Sequence, residues 1–330
     1  MQNTDSASQS EANGTTGLSA PASLSPVTLS PILVERIWGV DSLAPWHSGD
    51  SARGAIGEIW LTAETCVAES GADEGRTLAE LTTASPVAFG DARGEGFPLL
   101  IKLLFPREKL SVQVHPNDAE AQALGMPRGK TECWYVLEAE PGAEVAVGFV
   151  EPLTPDEVSA AIRNGTLESK LRMLPVKAGD MVFVDAGTVH AIGPGMVVLE
   201  TQQYSDTTYR LWDYGRAREL HVEAGMAVTR TDTAAGLVTP EAHGMFTRLV
   251  SCSYFRVDRF DLTGGSAVAL GEPGRLQILI ALGGGCAAIS EEGEAFPLAY
   301  GQAVVLPATD VAYELVGENA ATQVIRILQP

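Results

Sequence analysis

The chain has 330 residues, 45% hydrophobic and 19% charged, enough apolar material to bury a sizeable core and to build more than one compact unit. Its 22 Lys and Arg stand against 42 Asp and Glu, a net charge of -20 that argues against nonspecific partnership with nucleic acid or an anionic membrane. The cysteines (Cys66, Cys133, Cys252, Cys286) are scattered without a CxxC pair, no run of 18 apolar residues marks a membrane span, and no basic-then-apolar leader opens the chain. Free thiols in a reducing cytoplasm are therefore expected.

Residues 1 to about 28 are rich in Ser, Thr, Ala, Asn and Gln and predict a disordered tail. Order is expected from Leu29. Gly57 to Thr62 alternates as a strand, and Thr77 to Leu81 predicts a short helix. In Ser111-Val112-Gln113-Val114-His115 the period-two alternation of a strand puts residues 111, 113 and 115 on one face. Asn117 to Leu124 reads as a helix with an acidic start, stopped by Gly125. Thr131 to Leu137 and Glu144 to Phe149 read as strands, with Glu132 free to point inward from the start of the first. Thr154-Pro155-Asp156-Glu157 opens a capped helix to about Arg163, and Leu167 to Met173 predicts a second, together a helical insertion over about 154–173. Met196 to Gln202 is a strand carrying Glu200 near its end, and Arg218 to about Val228 predicts a helix. Thr231 to His243 reads as a linker. Beyond it, short strands such as Phe255 to Phe260 and Leu276 to Leu282 alternate with glycine turns.

Gln113 and His115 on one strand face, Glu132 at the head of another strand, and His190 downstream form a donor set of two imidazoles, an amide and a carboxylate. Brought together in one barrel, they suit a divalent ion such as zinc, one per domain, with a position left for water or substrate. The run Gly179-Asp180-Met181-Val182-Phe183-Val184-Asp185-Ala186-Gly187-Thr188-Val189-His190 resembles the second cupin motif, with Asp185 where that motif has proline. Its glycines would turn His190 into the barrel mouth. Gly301 to Pro307 repeats only the opening of that motif, so a second barrel without metal ligands is expected.

Three segments, Pro98 to Leu104, Leu110 to Asp118 and Gly129 to Tyr135, are together similar to the type I mannose-6-phosphate isomerases, in particular the shorter bacterial branch. The likeness spans about residues 31–330 and weakens after about 230. Glu200, Asp206 and Arg210 match the family's E-x5-D-x3-R run. Val40, Arg76 and Arg216 depart from family positions that usually carry Gly, Lys and, in longer relatives, Lys. The resemblance implies a mostly β fold: a catalytic cupin, jelly-roll-like barrel over 29–235 with the helical insertion, then a smaller cupin-like β domain over 236–330. It implies interconversion of mannose 6-phosphate and fructose 6-phosphate through a cis-enediol. In this scheme Gln113, His115, Glu132 and His190 hold zinc, Arg210 is the active-site cation, and Ser111 and Lys130 meet the phosphate. Glu200 is the first candidate for the proton-transfer base, with His221 and a metal-bound water as others. Lys102 and Lys109 read as solvated surface charges, and a salt bridge from Arg210 to Asp206 or Asp213 is the plainer alternative for that residue. The expected partner is a phosphorylated hexose, with no nucleic acid or membrane and a monomer or weak homodimer as the assembly. Competing expectations are an isomerase or epimerase of another phosphorylated sugar, a non-catalytic sugar-phosphate-binding cupin, and an iron dioxygenase imitated by His115, Glu132 and His190.

Overall fold

A computed structural model describes residues 24–47, 54–318 and 321–330. The expected tail lies, through residue 23, outside the described residues. The chain stacks as layers of antiparallel sheet. A seven-stranded sheet has the spatial order Gly236–Val238, Met181–Val184, Glu132–Ala139, Met196–Gln203, Leu99–Leu104, Ile56–Trp60, Ile32–Val40. Facing it is a five-stranded sheet in the order Tyr209–Trp212, Val112–Val114, His190–Ile192, Glu144–Phe149, Leu171–Pro175. Alternate residues of both sheets, among them Trp134, Val136, Val145, Val147, Val182 and Val198, fill the space between them.

The outer face of the five-stranded sheet is covered by the helices Pro155–Arg163 and Val222–Val228 through Val158, Ile162 and Val228. The other face of the seven-stranded sheet packs on a second seven-stranded sheet, and that one on a four-stranded sheet, both formed mainly from the C-terminal half. This sandwiching explains the strand Leu99–Leu104, Leu-Leu-Ile-Lys-Leu-Leu, in which every residue is buried. Leu99, Ile101 and Leu103 face the neighbouring sheet, so Lys102 must face the interior of the first sandwich.

The fold is thus mostly β and jelly-roll-like, but the paired sheets face each other as open sandwiches and no closed barrel forms among the described residues. Three short helices begin where their chemistry says they should, whereas the helix expected from Arg218 starts only at Val222. Thr77 with Glu80, Asn117 with Glu120 and Thr154 with Glu157 each form a reciprocal capping box. Other local expectations fail. Leu167–Lys170 is only a 3-10 turn, and Leu171–Pro175 is a strand, because Leu174 and Met173 pair with Val145 and Ala146 at the sheet edge. The expected linker is stitched to two sheets: Gly236–Val238 pairs with Met181–Phe183, and Glu241–Ala242 with Thr247–Arg248. Val27–Leu29 likewise joins the C-terminal sheet, with Val27 opposite Val305. No helix among the described residues is long and apolar enough to cross a membrane.

Candidate metal centre

Strand register assembles the site. In the five-stranded sheet Gln113 lies opposite both His190 and Arg210, so these three side chains share the inward face. On the opposing sheet, Trp60, Lys102, Glu200 and Trp134 form one cross-strand row on the inward face, and Glu132 lies in the next, opposite Gln202 and Val184. Two loops are drawn tightly together to close the arrangement. A Cβ on Gly129 would lie 2.4–2.6 Å from backbone atoms of Pro116, Asn117 and Asp118, so only glycine allows the Lys130 loop to lie against the chain after His115. Gly187, at a φ of +90°, donates its N–H to the His115 carbonyl at 2.8 Å and starts the turn into His190. Asp185 serves where the related motif has proline: its carboxylate accepts from the Thr188 hydroxyl at 2.8 Å and from Ala234 N at 3.3 Å, pinning the turn.

Candidate ligand atoms of His115, Glu132 and His190 lie within 4.8 Å of one another, and all three residues are buried to 1% exposure or less. Glu132 Oε1 is 3.3 Å from His190 Nε2 and its Oε2 is 3.6 Å from His115 Nε2, while Gln113 Nε2 is 3.3 Å from His190 Nε2. His115 Nδ1 lies 2.8 Å from the Thr207 carbonyl and His190 Nδ1 2.9 Å from the Thr188 carbonyl. A carbonyl only accepts, so each Nδ1 carries the proton and each Nε2 turns its lone pair inward, the outer-shell arrangement typical of metal-binding imidazoles. Burial, with the nearby Lys130 charge, pushes His115 well below the ordinary imidazole range, and burial lowers His190 despite Glu132. Both rings are neutral donors at pH 7. Glu132 Oε1 has no hydrogen-bond donor among the described residues, and Oε2 meets the Lys130 ammonium at 2.6 Å. A buried carboxylate left this way between two neutral lone pairs fits a divalent cation.

The cations and acids around this set sort by place. The Lys130 ammonium, 5% exposed, is 2.6 Å from Glu132 Oε2 and 3.1 Å from His115 Nε2, so it sits against the ligand atoms themselves. Burial works against its charge, yet Glu132 and Glu200 hold its pKa above the ordinary lysine value. Ser111 is buried just ahead of the Gln113 strand. Glu200, 4% exposed, accepts from Trp134 Nε1 at 3.3 Å and pairs with Lys102 at 3.4 Å. Burial and then the Glu132 charge raise its pKa, against the pull of Lys130 and Lys102.

Arg210 donates to the Glu219 carbonyl at 2.7 Å, and its buried Nε has no partner among the described residues. The alternative salt bridge to Asp213 is taken up elsewhere: Asp213 is bracketed by Arg216 at 2.6 Å and Arg218 at 2.7 Å. His221 is engaged with backbone, its Nδ1 accepting from Arg210 N at 3.2 Å. Gln113 and Arg210 keep partial exposure, so the site opens beside the Tyr209–Trp212 strand.

Lys102 is the residue that sequence reasoning placed wrongly. It is no surface charge: it is 6% exposed, its ammonium 5.1 Å from the Trp60 ring centroid and 3.4 Å from Glu200. A lysine inside an unbroken apolar run was the available signal, since such a run buried on both faces leaves a charge no route to water. Lys109, by contrast, is exposed and pairs with Glu168.

Two opposed sheets that bring two neutral imidazoles, an amide and a buried carboxylate to one point, with Lys102 and Lys130 close by and Arg210 on the same sheet face as Gln113, define a metal-binding enzyme with a cupin-like fold. Comparison with known proteins narrows the class. Residues 28–151 match the family model for the phosphomannose isomerase type I catalytic domain. The chain is 38% identical over 269 residues to mannose-6-phosphate isomerase ManA of Bacillus subtilis, covering 75% of this chain and 83% of that one. A crystal structure of the mannose 6-phosphate isomerase from Bacillus subtilis superposes with a TM-score of 0.81 at 32% identity, covering 92% of this chain and 99% of the other. A zinc-bound holo structure of a mannose 6-phosphate isomerase shares the fold at a TM-score of 0.73 and 17% identity, over 92% and 99% of the two chains. This chain belongs to the type I phosphomannose isomerase family.

Proposed function

We propose that this protein is a zinc-dependent isomerase that interconverts mannose 6-phosphate and fructose 6-phosphate through a cis-enediol. The observation that carries this is the convergence of His115 Nε2, His190 Nε2 and the fully buried Glu132 carboxylate beside Gln113, in a chain whose relatives are named for this reaction. Gln113, His115, Glu132 and His190 would hold the ion, which when bound supplies Lewis-acid polarisation of a substrate oxygen.

The protein's own groups do the rest. Moving a hydrogen between C1 and C2 needs a base that takes the proton from one carbon and returns it to the other. Glu200 suits this: it is buried, its pKa is raised, and Lys102 holds it in place. The Arg210 guanidinium, on the same sheet face as Gln113 and with Nε uncommitted, offers positive charge to the oxygen that gains charge as the enediol forms. Ser111 and Lys130 are the proposed donors to the phosphate, the lysine as a point charge and the serine as a hydrogen-bond donor. A cytoplasmic setting accords with the free state of Cys66, Cys133, Cys252 and Cys286.

Two substitutions test the assignment. His190→Ala is expected to abolish zinc retention and turnover of mannose 6-phosphate together, and a fully active, metal-free variant would sink the site. Lys130→Ala is expected to raise KM for the phosphorylated sugar far more than it disturbs bound zinc; unchanged kinetics would remove Lys130 from substrate binding.

A further inference from the structure

The loop that carries Lys130 and leads into Glu132 is held from behind, on the side of the sheet away from the ligands. Gly129 N donates to Asp118 Oδ1 at 2.9 Å, Lys130 N to the Pro116 carbonyl at 2.9 Å, and Thr131 N to Gln203 Oε1 at 2.9 Å. Gln203 N returns a bond to the Thr131 carbonyl at 3.1 Å, and the Gln203 side-chain amide donates to the same Asp118 Oδ1 at 2.8 Å. Both peptide N–H groups flanking Lys130 therefore end on one carboxylate, directly from Gly129 and through Gln203 from Thr131. Gln203 is 3% exposed and, one residue on from Gln202, points to the face of its strand opposite Glu200. It does not enter the site. Asp118 and Gln203 also wall a cavity of about 340 Å³ that Tyr254 from the C-terminal half lines with them.

We propose that Asp118 and Gln203 act as positioning residues, a two-residue clamp that sets where Lys130 and Glu132 stand. The proposal rests on the isomerase function for its kinetic consequence and on the metal site for its other. Backbone bonds of this kind fix a side chain to a fraction of an ångström, and a loop freed by that amount misplaces the lysine against the substrate and the carboxylate against the ion. Tyr254, beside Asp118 in the cavity wall, belongs to the C-terminal half, which thereby borders the clamp.

The test uses four variants of the full chain. Gln203→Leu removes the acceptor for Thr131 N–H and the donor to Asp118; Gln203→Glu keeps only the acceptor. Asp118→Ala removes the shared oxygen, whereas Asp118→Asn retains a neutral one able to accept both bonds. At saturating zinc, Gln203→Leu and Asp118→Ala are expected to raise KM for mannose 6-phosphate about tenfold, equivalent to about 1.4 kcal/mol, with a smaller change in kcat. Chelator competition is expected to show zinc held about tenfold more weakly in both. Gln203→Glu should fall between, and Asp118→Asn should stay within about twofold of the parent on both measures.

A folded Gln203→Leu variant with parental KM and zinc affinity would overturn the proposal, as would an Asp118→Asn variant as impaired as Asp118→Ala. If Asp118→Ala does not fold, Gln203→Leu decides. A parent protein inert toward mannose 6-phosphate would refute the isomerase function and leave the clamp to be judged on zinc affinity alone.

Discussion

Replacing Lys102 with Met keeps an unbranched side chain of similar length against Trp60 while removing the ammonium 3.4 Å from Glu200. At that separation and an effective dielectric of about 20, the Coulomb attraction is on the order of 5 kcal/mol as an upper limit. Lys130 also favours the Glu200 charge and remains, so the net loss is smaller. A loss of even about 1.4 kcal/mol moves a carboxyl by about one pH unit. The sign is fixed by chemistry: a base works unprotonated, so activity falls as pH drops through its pKa. Glu200 already titrates above the ordinary carboxyl range because of its burial and Glu132, and losing Lys102 raises it further. The acid limb of kcat/KM should therefore move to higher pH by about one unit or more, with the alkaline side less affected. The assay is coupled turnover of mannose 6-phosphate across the pH range at saturating zinc, with metal content measured in parallel. A uniform loss of rate with an unmoved acid limb would refute the claim that Lys102 tunes Glu200.

Gly129→Ala should drive a methyl group into the backbone of Pro116 to Asp118, destabilise the protein by about 1–3 kcal/mol, and weaken zinc binding; an unchanged thermal melt would contradict the close approach of those loops. Arg210→Gln should lower kcat about a hundredfold with zinc content unchanged, since Arg210 offers no ligand atom. Loss of metal in parallel with rate would instead assign it to holding the site. Asp185→Pro should cost stability through the lost bonds from Thr188 and Ala234, without preventing His190 from being delivered, as read from the thermal melt and from zinc stoichiometry.

The convergence of Gln113, His115, Glu132 and His190 is legible because each sits in a segment whose local pattern is strong. Alternation put Gln113 on the inward face, Thr131 to Leu137 declared itself a strand, and glycines framed the turn into His190. The apolar run around Lys102 signals its burial but not its partner: only pairing of Leu99–Leu104 with Met196–Gln203 sets it opposite Glu200, and pairing between distant segments leaves no local trace. The same holds for Leu171–Pro175, whose helix-compatible residues became an edge strand by pairing with Glu144–Phe149. The segment after Thr231, polar and glycine-bearing, reads as linker by composition, yet its backbone groups are consumed by two different sheet edges. Gln203 was silent for another reason. Its importance lies in what its amide touches, Thr131 and Asp118, 72 and 85 residues away.

If a divalent ion held by Gln113, His115, Glu132 and His190 makes this chain an isomerase of mannose 6-phosphate, turnover must follow the metal. The most direct measurement is coupled turnover of mannose 6-phosphate by the purified protein before chelation, after chelation, and after zinc is restored. Activity should disappear with the metal and return with it. Turnover that persists in verified metal-free protein, or zinc-loaded protein that does not convert mannose 6-phosphate, would contradict that assignment.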